Sequence, residues 1–339
     1  MNYLNTNLYK KDVEQIPTRN GYGDGLVLAG EKDPNVVVLC ADLTESTRSL
    51  AFAKKFPERF IQVGVAEQNM AGVAVGLAVE GKIPFISSYA VFSPGRNWDQ
   101  IRVNVCYNNA NVKIAGAHAG ISVGPDGATH QALEDIAITR VLPGMTVLVP
   151  CDVHEARKAT LAAANHKGPV YIRFAREKTP VITTEKTPFE IGKAYVAREG
   201  KDVTVIACGP LLYEALMAAE ILSKKIYRDR ISVNLQRYDL PVSVEIINCP
   251  TVKPLDRKTI VASVKKTGAV VTVEEHQVTG GLGGAVCEAL AEEYPVPVIR
   301  VGMRDMFGES GEPDELLTKY GMKAKDIVMA VQKVLKKKR

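Results

Sequence analysis

The sequence predicts an α/β protein of two consecutive domains, each a mainly parallel sheet flanked by helices. Short β-branched runs alternate with longer small-residue or amphipathic segments along the chain. Runs such as Val36-Val37-Val38-Leu39-Cys40 are apolar at every position, which marks strands covered on both faces, as in parallel sheets with crossover helices. The length of 339 residues suits two cores, and 46% apolar with 24% charged residues is the composition of a folded chain.

Taken in order, the candidate strands are Val36–Cys40, Phe60–Val63, Pro84–Ser87, Val112–Gly116, Thr146–Val149 and Val170–Arg173. After a break come Val203–Cys208, Val244–Ile247, Ala269–Val273 and Val298–Val301. Helix-like segments lie between them at Asn69–Val79, Asp152–Ala164, Tyr213–Leu222 and Gly284–Glu293. Asp152 followed by Glu155 has the spacing of a capping box. The stretch Thr179 to Pro188, with no helical period, is the expected boundary, giving domains 1–185 and 186–339.

A net charge of +5 is small for this length, and the one dense basic run, Lys336 to Arg339, reads as a solvated tail. No nucleic-acid partner is expected. The six cysteines are scattered without short pair spacing, which excludes a zinc ribbon and argues against a disulfide scaffold. Met1 to Gln15 has no apolar core of a signal peptide. The longest uncharged apolar stretch, Met70 to Val79, falls well short of the roughly 18 residues a membrane span needs. The chain reads as cytoplasmic.

In open α/β sheets, ligands bind beyond the carboxyl ends of the strands. Just past the first-domain strands stand Asp42, Thr44 and Ser46, then Glu67, then Tyr89 and Phe92. His118, Asp126, His130 and Arg176 follow, with Arg173 at the end of the last strand. Gathered at one edge, these groups point to a polar small-molecule site. Singly, Glu67 also suits the start of a helix, the two aromatics suit a core, and the arginines suit surface ion pairs. His118 and His130 match no zinc spacing, so no metal site is expected in this chain.

Four segments resemble thiamine-diphosphate enzymes of the transketolase type. The stretch from Phe60 to Met70, FIQVGVAEQNM, resembles their glutamate motif, and Ala41-Asp42-Leu43-Thr44 their ADLT segment. Ala117 to Gln131, AHAGISVGPDGATHQ, resembles their THxGIxVGxDGxTHQ loop. Val252-Lys253-Pro254-Leu255-Asp256 resembles the IKPLD segment of their C-terminal domain. The likeness spans about residues 10 to 335 and covers only the C-terminal half of transketolase, the pyrimidine-binding domain plus the C-terminal domain. Gly23-Asp24-Gly25 lies where that pyrimidine domain starts and does not resemble the family's metal-binding GDG…N motif.

The resemblance implies the small subunit of a split transketolase, with thiamine diphosphate as cofactor and Mg²⁺ (or Ca²⁺) held by an N-terminal partner subunit. An α₂β₂ assembly follows, with the small subunits also in contact. The implied reaction moves a two-carbon ketol unit between sugar phosphates, as in the pentose phosphate pathway. Glu67 matches the glutamate that bonds N1′ of the aminopyrimidine, Phe92 the aromatic that stacks on it, and Tyr89 a phenylalanine three positions earlier. Asp42 belongs to the same cofactor set. A third aromatic, expected near Gly95 or Arg96, is absent. His118 and His130 match the histidines that bond the donor's hydroxyls, and Asp126 the aspartate that reads the acceptor's C2-hydroxyl. Arg19, Ser46 and Arg176 match the phosphate-binding set, with Arg173 close enough in sequence to substitute for Arg176.

The C-terminal domain carries no catalytic match. Gly280 to Gly284 before a helix reads as structural rather than as a phosphate loop, and Ile226 to Val242 departs from the family like an insertion. Among alternatives, 1-deoxyxylulose-5-phosphate synthase resembles this loop but lacks the first histidine, so His118 favours ketol transfer. The β-subunit of a 2-oxo-acid dehydrogenase has a different histidine loop. A transketolase for an unusual sugar would use these same residues. A non-catalytic scaffolding half would have no need of Glu67, His118, Asp126 and His130 together.

Overall fold

The all-apolar runs form the middles of two sheets in the computed structural model, which describes residues 3–223 and 241–338. The first part of the chain supplies β1 (Gln15–Pro17), β2 (Val36–Cys40), β3 (Phe60–Gln62), β4 (Ile83–Tyr89), β5 (Lys113–Ala117), β6 (Thr146–Leu148), β7 (Val170–Arg173) and β8 (Lys178–Pro180). The second supplies β9 (Tyr195–Arg198), β10 (Val203–Ala207), β11 (Val244–Asn248), β12 (Thr251–Lys253), β13 (Val270–Gln277) and β14 (Val298–Met303). One seven-stranded sheet runs β12-β6-β7-β5-β4-β2-β3, parallel except for β12. A five-stranded sheet runs β14-β13-β10-β11-β9, parallel except for β9.

Every residue of β2, β5, β7, β10 and β11 is buried, the polar Lys113, Arg173, Thr204, Glu245 and Asn248 included. Each fully buried Val, Leu or Ile in them contributes about 1.5–3 kcal/mol relative to exposure. Asp152 caps the helix Val153–Asn165, accepting from Glu155 N at 2.9 Å. The return bond differs from a standard box, because Glu155 Oε2 takes the amide of Cys151, one residue before the cap. Burial, with Asp152 alongside, pushes the Glu155 carboxyl up to about 7.

Several elements depart from the sequence reading. The expected boundary stretch opens with β8, which pairs antiparallel with β1. β12 follows the second part's β11 in sequence but joins the first sheet, with Thr251 opposite Leu148. The two parts of the chain therefore share one sheet. The helix Thr18–Lys32 buries Tyr22, Leu26 and Ala29 in the core, and glycines make its closest contact with the neighbouring helix. A Cβ on Gly21 would lie 2.0 Å from the Val153 carbonyl oxygen, so glycine lets this helix lie directly on Val153–Asn165. Gly23-Asp24-Gly25 sits inside that helix. The segment Ile226 to Val242 lies outside the described residues except for its last two.

All six cysteines are free thiols, five of them buried. Among the described residues, no helix is long and apolar enough to cross a membrane.

Candidate active site

Because β2, β3, β4, β5 and β7 are parallel, their carboxyl ends reach the same edge of the seven-stranded sheet. Asp42 and Ser46 follow β2, Glu67 follows β3, Tyr89 ends β4, His118 follows β5 and Arg176 follows β7. Arg19 enters from the first turn of the helix Thr18–Lys32.

Glu67 is the first residue of the helix Glu67–Val79, and its side chain is only 1% exposed. Its Oε2 accepts from Arg96 Nη1 at 2.7 Å, and its carbonyl accepts from Asn97 Nδ2 at 3.1 Å. The Arg96 guanidinium also lies over the Phe92 ring, 4.5 Å from its centroid. Four rings continue this wall. Tyr89 stacks on His118 at 3.9 Å between centroids and on Phe92 at 5.9 Å. His130 meets Tyr89 and Phe92 edge-on, at 6.2 and 5.5 Å.

The histidine tautomer follows from its neighbour. Arg19 Nη1 sits 3.3 Å from His118 Nε2, and an arginine can only donate, so Nε2 accepts and the ring proton lies on Nδ1. That Nδ1–H is buried and has no partner. Buried donors without a partner are rare in folded proteins, which sets this nitrogen apart. Burial, reinforced by Arg19, Arg176, His130 and Arg48, pushes the His118 pKa down to about 3, so the ring is neutral at physiological pH.

Cations gather beside it. Arg19 donates to the Ser46 carbonyl at 2.9 Å while its buried Nε finds no partner. Burial first, then Arg48 and Arg176, lower its pKa, with Tyr89 and Glu177 opposing the shift. Arg176 donates to the Val123 carbonyl at 2.7 Å and lies 3.8 Å from Asp126. Asp42 stands exposed at the rim, its amide bonded to Gln62 Oε1 at 2.8 Å.

Arg173 is a correction. Its side chain is 5% exposed, its Nε bonds Asp135 Oδ2 at 2.8 Å, and its Nη2 bonds the carbonyls of Ala132 and Glu275. Tyr171 donates to the same Asp135 oxygen at 2.6 Å. An arginine whose donors are spent inside the protein cannot serve a substrate phosphate, so Arg173 leaves that set.

The second sheet braces the histidine loop. Glu275, on β13, accepts the Ser122 amide at 2.6 Å. Gln131 Nε2 reaches the carbonyls of Ile121, at 3.1 Å, and Glu309, at 2.9 Å. Glu274 accepts the amides of Leu282 and Gly283, so the glycine-rich turn at Gly280–Gly284 meets a carboxylate of its own chain and has no anion site to offer. Among the described residues, no group of three or more His, Cys, Asp or Glu side chains is placed to hold a metal ion.

Sequence reasoning did not single out Arg48, Arg96, Gln131 or Glu275. Arg48 stands two residues past Ser46, within reach of the same strand-end test. Arg96 stands where an expected aromatic was missing.

Comparison with known proteins gives the family. The family model of the transketolase pyrimidine-binding domain matches residues 14–181, and that of the transketolase C-terminal domain matches residues 192–327. A Methanocaldococcus jannaschii protein named for a transketolase C-terminal section is 45% identical over 94% of this chain and 96% of its own length. The 6-deoxy-6-sulfo-D-fructose transketolase subunit SqwH of Clostridium sp. is 42% identical over 97% of this chain and 98% of its own. Against mouse transketolase-like protein 2, which is 40% identical, the chain covers 49% of the relative. A solved split-gene transketolase, an inactive beta4 tetramer, superposes with a TM-score of 0.86 at 48% identity, covering 96% of this chain and 100% of that one. The chain belongs to the transketolase family and carries its pyrimidine-binding and C-terminal domains, the section that relatives of equal length form as a separate chain.

Proposed function

We propose that this chain is the small subunit of a thiamine-diphosphate-dependent ketol transferase, and that a separate subunit holds the diphosphate and its Mg²⁺ (or Ca²⁺). The observation that carries this reading is the buried, unpartnered Nδ1–H of His118 beside Arg19, on the same strand-end edge as Glu67 and Phe92. The groups present suit the cofactor's pyrimidine: a buried carboxylate next to an aromatic face. Thiamine diphosphate supplies, when bound, the stabilised carbanion chemistry that breaks a carbon–carbon bond beside a carbonyl.

The chain's own residues do the rest. Glu67 holds a proton bond at N1′ of the pyrimidine, and Phe92 and Tyr89 wall that ring from water. His118 donates from Nδ1 to a sugar oxygen. His130, whose Nδ1 lies 2.9 Å from Thr129 Oγ1, keeps its other nitrogen for a second sugar oxygen. Asp126 reads the acceptor's hydroxyl. Arg19, Arg176 and Ser46, joined by Arg48, hold the sugar's terminal anion, since guanidinium groups bind tetrahedral oxyanions bidentately. Active sites that span subunits call for an α₂β₂ assembly.

The test is a coupled ketol-transfer assay with xylulose 5-phosphate, ribose 5-phosphate, thiamine diphosphate and Mg²⁺, comparing the chain alone with the chain plus an N-terminal transketolase subunit. Activity in the mixture alone is the expected result, and activity of the isolated chain contradicts the division of labour. A sulfonated sugar is the second reading, favoured by the SqwH relative and by a cationic end that suits a sulfonate as well as a phosphate. Turnover of 6-deoxy-6-sulfofructose with silence toward the phosphates selects it.

A further inference from the structure

Neither the motifs nor the reaction accounts for Arg96. Its amide bonds the Phe92 carbonyl at 2.9 Å, and the turn this closes brings its side chain back over that ring. The guanidinium therefore lies between two groups, 4.5 Å from the Phe92 centroid and 2.7 Å from Glu67 Oε2. These are the two side chains to which the proposed function assigns the cofactor's aminopyrimidine, one to stack on it and one to bond it. A guanidinium and an aminopyrimidine offer the same features there: a flat delocalised face for the aromatic and an N–H edge for the carboxylate.

We infer that Arg96 is a placeholder for the pyrimidine, seated between Phe92 and Glu67 in the cofactor-free chain and displaced toward solvent when the ring enters. The inference rests on the function proposed above. Exposure decides which partner moves. The Glu67 side chain is 1% exposed and that of Arg96 46%. Glu67 is also fixed at the start of a helix, with its carbonyl bonded to Asn97. A carboxylate so buried is costly to leave without a donor, and Arg96 supplies one until the cofactor does. The same bond makes Arg96 a competitor, since the cofactor must break a charge-assisted contact to take its seat.

The experiment is calorimetric titration of thiamine diphosphate with Mg²⁺ into the complex with the diphosphate-binding subunit, using wild type, Arg96→Gln and Arg96→Met at low and high salt. Both variants should bind about 2–5-fold tighter than wild type at low salt, the range expected for losing a half-exposed ion pair. The gap should narrow at high salt, which screens the Arg96–Glu67 pair that only the wild type has. Equal or weaker binding by the variants overturns the placeholder. A readout on the wild-type complex does not depend on the variants folding. The Arg96 side-chain nitrogen signals in NMR should change from held to freely rotating on cofactor saturation, and persistence of the held signals overturns the inference. If the wild-type complex takes up no thiamine diphosphate, the proposed function fails and the placeholder with it. If wild type binds and the variants gain nothing, the placeholder alone falls.

Discussion

At the carboxyl edge of the seven-stranded sheet, Glu67 meets one half-exposed arginine. At the corresponding edge of the five-stranded sheet, Glu274 meets the amides of Leu282 and Gly283, and Glu275 the amide of Ser122. All three carboxyls are buried. The difference lies in what a ligand would have to displace. A flexible side chain can leave, whereas backbone amides of a helix start and a braced loop cannot without local unfolding. Fold geometry makes both edges candidate sites, and under the proposed function the partners of the acids separate a receptor from a strut. Burial pushes the Glu274 and Glu275 carboxyls upward, a cost that a structural acid bears for the bonds it makes.

This contrast is broken most directly at Glu67. Glu67→Ala should lower turnover of the reconstituted complex by about 10²–10⁴-fold, the range of a general acid–base group. Its unfolding midpoint should stay near wild type, because the arginine left behind is half exposed. Between the two edges, Arg173→Ala removes the cation that ties Asp135 to the Ala132 and Glu275 carbonyls. It should cost about 3–5 kcal/mol in urea unfolding, as expected when a buried charge loses its partner.

His118 gives the contrast a pH signature. Its pKa falls from the usual 6.5 to about 3 in the folded chain, so the unfolded chain binds more protons between those values. The stability contribution is fully present above about pH 6.5 and is lost as pH falls toward 3, on the order of 5 kcal/mol in all. Unfolding free energy measured against pH should show that slope, and His118→Asn should flatten it. The smallest effect belongs to the brace. Gln131→Ala should cost about 1–2 kcal/mol by freeing buried carbonyls in the histidine loop, visible in the same urea experiment.

The sequence disclosed the elements whose signal is local. A strand buried on both faces such as β2 announces itself as an unbroken apolar run, and the boundaries of β2 and β7 match the reading. β1, β8 and β12 are three residues each and exist only because a distant partner pairs with them, so no local period could show them. The helix Thr18–Lys32 hid for a related reason: its glycines serve close packing, which is a property of its neighbour. Site residues divide the same way. Glu67, Phe92, His118 and His130 stand in a strand-end pattern that can be read along the chain. Arg173 was misjudged because its place in the sequence, three residues from Arg176, does not reveal that its side chain turns inward to Asp135. Arg96 and Glu275 act across the fold, and only tertiary placement exposes them.

The central claim is that one strand-end edge receives ligand while the other braces it. Amide hydrogen exchange of the reconstituted complex, with and without thiamine diphosphate and a sugar phosphate, tests it most directly. Added protection should appear at residues 42–48, 64–70, 89–97 and 118–130, with residues 274–284 unchanged. New protection at 280–284, with none around Glu67 and His118, would place the ligand on the wrong sheet and contradict the account.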